Sequence, residues 1–325
     1  MFRNLVVIAT MVCALLCAQS PIASTREKAA TGGRSTAQLR AWVESSPKLP
    51  LDRQELTVNL AAGQEINNIS WISRDPKSGI IWLFQRGDKA DPVIAINPDG
   101  RVLRSFGKGM FEIPHAIRIG PDGNVWTVDA KTSRVVQFSP SGQKLLQIAV
   151  GGQPERPSPF RGTTDIGFSS GGRIFISDGY GNARILEFTS AGRRVRDWGT
   201  PGTGPGQFNL PHSVLVDQDN ILWVADRENG RIQKFDLEGR FVGEIQTFGR
   251  TYSLAPGPKG TLWTTVSPLD QPPGSPGWII QLDRSGKLLG QIPVADRPSH
   301  HTIADMGDGQ PATIVGNKVI WFRHR

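Results

Sequence analysis

An internal repeat constrains the fold of this sequence more than any other feature. Residues 114–129, 163–178 and 211–226 share one pattern, in which alternating apolar positions flank a turn rich in Gly and Asp. This pattern predicts a β-hairpin. Each copy is followed by two further short runs typical of strands, such as residues 134–138 and 144–148. The sequence therefore predicts consecutive four-stranded antiparallel units.

A fixed spacing makes the repeat countable. In most copies an anchor residue precedes an aromatic residue by eleven positions, as His115 precedes Trp126 and His212 precedes Trp223. In the last copy, residues 309–311 are expected to lengthen the turn by about two residues, compared with the turns that the sequence motifs predict for the other copies. The six anchors are Trp71, His115, Thr164, His212, Tyr252 and His301.

Six units of this size predict an all-β, six-bladed β-propeller. A single blade cannot bury both faces of its sheet, whereas blades stacked in a ring bury them against each other. A seven-bladed ring is the alternative, and it would need one unrecognised copy. The last copy is one strand short, and we expect residues 55–60 to supply that strand and close the ring. The propeller is thus predicted over 53–325, after a polar linker over 24–52 with one or two helical turns.

The first 23 residues are predicted to be a signal peptide. Arg3 precedes an apolar run over 5–18, which is too short to span a membrane comfortably and is followed by small residues. The expected location is therefore secreted or periplasmic, with no stable membrane span. A lipid anchor at Cys17 is disfavoured because Leu16 before it is too large for the usual attachment pattern.

Cysteine and charge usage exclude several classes of site. Both cysteines, Cys13 and Cys17, lie in the predicted signal, so disulfides and thiolate ligands are not expected in the mature protein. The net charge is +8, but Lys and Arg are scattered, which favours a solvated basic surface over nucleic-acid binding. We expect a monomer that acts on a small-molecule or peptide partner.

Histidine occupies the anchor position of every second blade. Of the five histidines in the chain, His115, His212 and His301 fall at these positions. Alternate blades of a six-bladed ring are about 120° apart, so three imidazoles are predicted to converge on the channel. Three nitrogen ligands with an open fourth position are typical of catalytic Zn²⁺, although imidazole also suits other transition metals. His300 is the alternative to His301, whose apolar phase matches the other two better.

Three further residues are predicted at the same rim. Arg86, Tyr180 and Arg227 lie 15 or 16 positions after their anchors, where an antiparallel hairpin returns to its starting end, and the repeat does not require them. Guanidinium groups and a cation nearby would favour a Tyr180 phenolate, which can act as a general base. Arg also suits a substrate carboxylate. Rim salt bridges or surface packing are equally compatible with these three residues.

These motifs resemble a known family. Residues 84–88 (FQRGD), 111–115 (FEIPH), 177–184 (SDGYGNAR), 211–213 (PHS) and 224–233 (VADRENGRIQ) are similar to the peptidyl-α-hydroxyglycine α-amidating lyase domain, a propeller with NHL repeats. The resemblance covers about residues 64–322. It implies a six-bladed propeller that cleaves a peptidyl-α-hydroxyglycine into a peptide amide and glyoxylate.

The resemblance also implies roles for individual residues. His115, His212 and His301 would be the zinc ligands, and Tyr180 would be the base. Arg86 would steady the phenolate or the substrate carboxylate, and Arg227 would support Tyr180 and the substrate.

The sequence departs from the family pattern in two respects. The resemblance implies a Ca²⁺ ion held by the backbone carbonyls of Ile72 and Ile117 and by a carboxylate directly after the third zinc histidine. Thr302 stands there, which argues against calcium unless Asp305 or Asp308 substitutes. The family's cysteine pairs are also replaced. The residues at these positions are Gly181, Trp223 and Lys234.

Two other functions remain open from the sequence. A propeller without catalytic activity could bind peptides or cell-envelope partners. A metal-dependent lactone or ester hydrolase is less compatible with the sequence, because six-bladed propellers of that kind usually hold calcium with carboxylates rather than with three histidines.

Overall fold

The structure is a computed structural model that describes residues 36–153, 158–296 and 299–325, with only the backbone of residues 299 and 300. The predicted signal peptide and Cys17 lie outside the described residues. The first elements are helix α1 and strand β1, which span Thr36–Glu44 and Leu51–Leu56. None of the helices in the described part is long and apolar enough to cross a membrane.

Six four-stranded antiparallel sheets follow one another in the described chain, and this confirms the predicted six-bladed all-β propeller. Blade 1 contains β2 (Ile69–Arg74), β3 (Ile81–Gln85), β4 (Val93–Ile96) and β5 (Val102–Phe106). Blade 2 contains β6 (Pro114–Ile119), β7 (Val125–Asp129), β8 (Arg134–Phe138) and β9 (Lys144–Ala149). Blade 3 contains β10 (Asp165–Phe168), β11 (Ile174–Asp178), β12 (Arg184–Phe188) and β13 (Arg194–Trp198).

The second half of the ring repeats this order after a short parallel pair, β14 (Thr200–Pro201) and β15 (Gln207–Phe208). Blade 4 contains β16 (Pro211–Val216), β17 (Leu222–Asp226), β18 (Arg231–Phe235) and β19 (Phe241–Gln246). Blade 5 contains β20 (Arg250–Pro256), β21 (Leu262–Ser267), β22 (Gly277–Leu282) and β23 (Leu288–Val294). Blade 6 contains β24 (Ser299–Asp305), β25 (Pro311–Val315) and β26 (Lys318–His324), with β1 as its outer strand.

The innermost strands close the ring. Each of β2, β6, β10, β16, β20 and β24 contacts the innermost strand of the next blade, and β24 contacts β2. Burial decreases outward within a blade: every residue of β11 is buried, whereas most of β13 is exposed. The apolar core lies between the blades, because both faces of each inner hairpin pack against neighbouring sheets.

The closing strand begins earlier than predicted. The sequence placed it at residues 55–60, but β1 spans Leu51–Leu56 and pairs antiparallel with β26, from Leu51 opposite His324 to Leu56 opposite Val319. The predicted boundary at residue 53 therefore falls inside a strand. Polar residues such as Asp52 and Glu55 obscured the strand because β1 lies at the edge of its sheet, where side chains stay exposed.

Residues 24–52 are not simply a linker where the structure describes them. Helix α1 buries Leu39 and Val43, four positions apart on one face, in the cluster between blades 4 and 5. A Cβ on Gly249 would come within 2.7 Å of the Leu39 side chain, so a glycine is needed for this close approach. Lys48 then pairs with Gln291 on the outer strand of blade 5.

Candidate metal centre and channel

β-Bulges present two of the predicted histidines. In blade 2, Pro114 lies opposite Asp129 and Ala116 opposite Val128, so His115 is an extra residue in β6. In blade 4, Pro211 lies opposite Asp226 and Ser213 opposite Ala225, so His212 is the extra residue in β16. A bulge redirects the side chain of the extra residue. This local irregularity lets an inner-strand residue face the channel.

The structure brings His115, His212 and His301 together. One ring nitrogen from each lies within 4.8 Å of the other two, and the ring centroids are 4.8–5.2 Å apart. His115 and His212 are fully buried. We call these three side chains the imidazole cluster. The side chain of His300, the alternative third ligand, lies outside the described residues.

Backbone carbonyls of the neighbouring blades orient the three rings. Nδ1 of His115 donates to the carbonyl of Thr164 at 2.6 Å, and Nδ1 of His212 donates to that of Tyr252 at 2.6 Å. Nδ1 of His301 donates to the carbonyl of Ser70 at 3.2 Å. A carbonyl only accepts, so the proton lies on Nδ1 and the Nε2 lone pairs remain available. This is the second-shell arrangement typical of histidines that bind metals.

The contact with Ser70 shows that the predicted anchor position of blade 1 is wrong by one residue. Its hairpin turn runs from Asp75 to Ile80, one residue longer than the turn from Gly120 to Asn124 in blade 2. The bulged residue opposite β3 is consequently Ser70, whereas eleven-residue spacing had selected Trp71. The turn of blade 6, from Met306 to Gln310, has the same length as that of blade 2, so the predicted insertion at residues 309–311 is wrong.

Burial favours the neutral form of His115 and His212. It lowers the pKa of His115 and His212 well below the usual value, and the neighbouring His301 lowers both further. Metal ligation requires neutral imidazole. Tyr180 Oη lies 3.1 Å from Nε2 of His115 and 3.1 Å from Nε2 of His212, but its single proton can satisfy only one of them. These residues therefore fit a metal cation, which the cluster can hold.

Tyr180 lies directly against the imidazole cluster, as the predicted rim position requires. Burial raises the pKa of Tyr180, while the positive charges of Arg227 and Arg86 lower it. The expectation that the two guanidinium groups favour the phenolate is thus correct in sign, but desolvation outweighs them in the protein alone.

The two predicted arginines flank Tyr180. The guanidinium carbon of Arg227 lies 5.9 Å from the Tyr180 ring centroid and 5.5 Å from that of Tyr252. Arg86 donates through Nε to the Pro114 carbonyl at 2.8 Å, next to His115, and lies 5.2 Å from the Phe160 ring centroid. Phe160 in turn lies 5.2 Å from the Tyr180 ring. Two cations and two aromatic rings therefore surround the hydroxyl at the mouth of the channel.

The recurring aspartates build the loops that carry these residues. Asp226 accepts bonds from the Asn209 amide, Asn229 and Arg231, next to Arg227 in the chain. Asp178 likewise accepts from Asn182 and Arg184, two residues before Tyr180. These bonds hold the backbone and side chains of the two loops in place.

A second polar cluster crosses the channel beside the Trp71 indole. The Trp71 ring centroid lies 5.7–6.3 Å from the three imidazole centroids. The guanidinium carbon of Arg118 lies 5.0 Å from the same indole ring. Arg118 pairs with the fully buried Asp165, and Ser213 donates to that carboxylate at 2.6 Å. We call Arg118, Asp165 and Ser213 the guanidinium cluster.

The residues expected to hold calcium do not form a calcium site. The side chains of Ile72 and Ile117 lie in two different apolar clusters, and the role of their backbone carbonyls stays a prediction. Thr302 supplies no carboxylate, and Asp305 accepts from the Gly307 amide in its own hairpin turn. Within the described residues, the imidazole cluster is the only group of three or more histidine, cysteine or acidic side chains placed to hold a metal. The chain's residues therefore do not fit a bound Ca²⁺.

Sequence reasoning missed the guanidinium cluster and Phe160. Arg118 stands three residues after His115 on the same strand, but it does not recur in the other blades, so the repeat gave no signal for it. A useful signal would have been its charge within an otherwise apolar inner strand, since such a residue needs a buried partner.

Comparisons with known proteins support the resemblance to the amidating lyases. A family described as a 6-bladed beta-propeller matches residues 160–303. A peptidyl-glycine alpha-amidating monooxygenase of Mus musculus is 35% identical over 217 residues, which cover 56% of this chain and 22% of that protein. A probable peptidyl-alpha-hydroxyglycine alpha-amidating lyase of Caenorhabditis elegans is 34% identical over 149 residues, or 44% of this chain and 42% of that protein.

The matched region spans only 22–27% of the first four curated relatives. A solved streptogramin B lyase structure superposes with a TM-score of 0.61 at 15% identity, covering 85% of this chain and 98% of that one, which shows the shared fold alone. The sequence resemblance to the amidating lyases is confirmed, and these relatives support a lyase-like function at moderate identity.

Proposed function

We propose that this six-bladed propeller, a relative of the amidating lyases, is a metal-dependent lyase that cleaves a peptidyl-α-hydroxyglycine into a peptide amide and glyoxylate. One observation carries the proposal. The hydroxyl of Tyr180 lies 3.1 Å from ring nitrogens of two members of the imidazole cluster, between two arginine side chains. A base, a cation site and carboxylate-binding groups thus occupy one small volume.

The reaction balances without a co-reactant. The α-hydroxyl group loses its proton, the oxygen lone pair forms the carbonyl of glyoxylate, and the bond between the α-carbon and the amide nitrogen breaks. The electron pair of that bond goes to the nitrogen, which takes up one proton. One proton is removed and one is returned, so a single residue can perform both transfers.

Tyr180 is the residue that we assign to proton transfer. Its oxygen lies at the imidazole cluster, and the charges of Arg227 and Arg86 lower its pKa against the effect of burial. As a phenolate it accepts the hydroxyl proton, and as a phenol it donates to the leaving nitrogen. The two arginines also bind the carboxylate of the hydroxyglycine. This carboxylate is negatively charged in the substrate and in the glyoxylate product.

His115, His212 and His301 would hold the metal through their Nε2 atoms, with Zn²⁺ as the ion that three imidazoles best suit. When bound, a divalent cation supplies a Lewis acid that makes an α-hydroxyl group more acidic. The Thr164, Tyr252 and Ser70 carbonyls keep the three rings aimed at one point, so the ligand set needs little reorganisation.

We also propose that the protein works outside the cytoplasm, because residues 1–23 have the composition of a signal peptide. Amino-terminal sequencing of the exported protein is expected to show that these residues have been removed. Finding them intact on protein retained in the cytoplasm would contradict this proposal.

The activity is tested with N-benzoyl-α-hydroxyglycine and an assay of glyoxylate release above the uncatalysed rate. Tyr180→Phe removes the proton-transfer group and is expected to lower kcat by about 10²–10⁴-fold, the usual contribution of acid–base catalysis. The matched control is Tyr252→Phe, because the Tyr252 hydroxyl lies at hydrogen-bond distance from Ser267 and accepts from the Gly274 amide. The control should retain activity within about tenfold.

Failure of the metal-loaded wild-type protein to release glyoxylate would reject this reaction. Equal activity of Tyr180→Phe and the wild type would reject the role of Tyr180. Metal content measured on the same samples separates a loss of chemistry from a loss of the cation.

A further inference from the structure

The Arg118 side chain links blade 2 to several other blades. It extends from β6 in blade 2 and donates to Asp165 in blade 3, through Nε at 3.0 Å and Nη2 at 2.6 Å. Nη2 also lies within hydrogen-bond distance of Ser213 Oγ in blade 4, at 3.2 Å, and of the Leu254 carbonyl in blade 5, at 3.1 Å. Its guanidinium stacks on Trp71 of blade 1. One side chain thus contacts residues of four other blades.

The Asp165 carboxylate beside Arg118 accepts several further hydrogen bonds. Asp165 is completely buried, and its carboxylate also accepts from the Ser213 hydroxyl at 2.6 Å and from the amides of Ile166 at 2.8 Å and Val214 at 3.3 Å. The side chain of Arg118 is only 12% exposed. Buried ion pairs persist when further hydrogen bonds support them, and Asp165 accepts three such bonds here.

The groups that surround the guanidinium are the kinds of ligand that Ca²⁺ uses. They are a carboxylate, a hydroxyl and a backbone carbonyl, all of which bind through oxygen. Ile117, from which a calcium-binding carbonyl was expected, immediately precedes Arg118. Ile72, the other expected source, immediately follows Trp71, on which the guanidinium stacks. The Arg118 side chain therefore places a positive charge among oxygen groups of the kind that a structural cation would bind.

Thr302 is a second residue that differs from the implied calcium site. It follows His301, where the family resemblance implied a carboxylate for calcium. It is fully buried, and its hydroxyl has no hydrogen-bond partner among the described residues. A carboxylate there would balance a calcium ion, but a threonine adds no negative charge beside a channel that already contains a guanidinium. A divalent cation added here would find no carboxylate at residue 302, and the nearby Asp165 carboxylate is already paired with Arg118.

We propose that Arg118 is the built-in structural cation of this propeller, so that the channel neither needs nor binds calcium and the only metal of the chain is the one at the imidazole cluster. This inference does not depend on the lyase reaction, because it concerns a different cluster and is measured without substrate.

The test is calcium binding by the full chain, loaded with Zn²⁺ at the imidazole cluster and titrated with CaCl₂ in a calorimeter and in thermal unfolding. The wild type is expected to show no binding and no change in Tm up to about 1 mM Ca²⁺. Thr302→Asp alone, which keeps the guanidinium, should behave in the same way. The double variant Arg118→Ala/Thr302→Asp should gain a calcium site with a Kd below about 1 mM, the weak end of protein calcium sites.

Wild-type protein that binds one Ca²⁺ per chain, or that gains Tm when Ca²⁺ is added, would overturn the proposal whatever the variants do. A folded double variant that ignores calcium would also overturn it, because vacating the cation position would then not recreate a site. Glyoxylate release plays no part in these measurements, so their failure is distinguishable from failure of the proposed reaction.

Discussion

The imidazole cluster and the guanidinium cluster both contact Trp71, yet their charge balance differs. The guanidinium cluster contains its own cation and anion, with Arg118 and Asp165 joined by two hydrogen bonds. The imidazole cluster contains no anion of its own. Burial lowers the pKa of His115 and His212, and their Nε2 atoms share one phenolic proton at most.

The difference shows how a propeller channel can separate structure from chemistry. A cluster that pairs its own charges ties blades together, whereas a cluster of imidazole lone pairs remains available to a cation and a substrate. Changes in the guanidinium cluster should therefore alter stability, and changes around the imidazole cluster should alter binding and turnover.

Removal of the Arg118 guanidinium is expected to change the free energy of unfolding more than any other substitution discussed here. Arg118→Met leaves the buried Asp165 carboxylate without its counter-ion and should lower the free energy of unfolding by about 3–5 kcal/mol. Chemical denaturation measures this change. Arg240→Met is the control, because the Arg240 side chain is 76% exposed and its pair with Asp236 should contribute less than about 1 kcal/mol. Equal stability of Arg118→Met and Arg240→Met would show that the guanidinium cluster does not stabilise the fold, which contradicts the distinction between the two clusters.

A change beside the imidazole cluster should act on substrate instead. Arg227→Lys keeps the charge but loses the planar fork that binds a carboxylate, and we expect KM to rise by about 10–100-fold, the range for lost hydrogen bonds to a charged group. The free energy of unfolding should change far less than in Arg118→Met. Steady-state kinetics of glyoxylate release measures KM, with Arg194→Lys on the exposed strand β13 as control. An unchanged KM would refute carboxylate binding by Arg227.

The smallest expected effect comes from a single hydroxyl of the guanidinium cluster. Ser213→Ala removes the donor to Asp165 and the acceptor for the Leu254 amide, while the ion pair stays intact. The free energy of unfolding should fall by about 1–2 kcal/mol. Ser141→Ala, at an exposed turn, is the control for denaturation. A loss as large as that of Arg118→Met would show that the hydroxyl network, and not the charge pair, stabilises this region.

The sequence revealed what is periodic in the molecule. Hairpin spacing predicted the six blades, and the alternation of histidine along the anchors predicted that His115, His212 and His301 converge. Both follow from ring geometry, which converts equal positions in sequence into equal positions around an axis.

What the sequence did not reveal depends on single, unrepeated contacts. One extra residue in the turn between Asp75 and Ile80 shifted blade 1 by one position, so Trp71 was taken for the anchor in place of Ser70. The partners of Arg118 are 47, 95 and 136 positions away in the chain, and no local pattern indicates such pairs. Helix α1 packs onto the ring through only two buried residues, which a polar composition concealed.

The central claim is that three imidazoles from alternate blades hold one metal ion, and metal analysis of purified protein after incubation with Zn²⁺ and removal of free metal tests it most directly. The wild type is expected to retain one Zn²⁺ per chain, and His212→Ala, which deletes one of three ligands, is expected to retain almost none while its guanidinium cluster keeps the ring folded. Wild-type protein that retains no Zn²⁺, or a His212→Ala variant that retains as much as the wild type, would contradict the account.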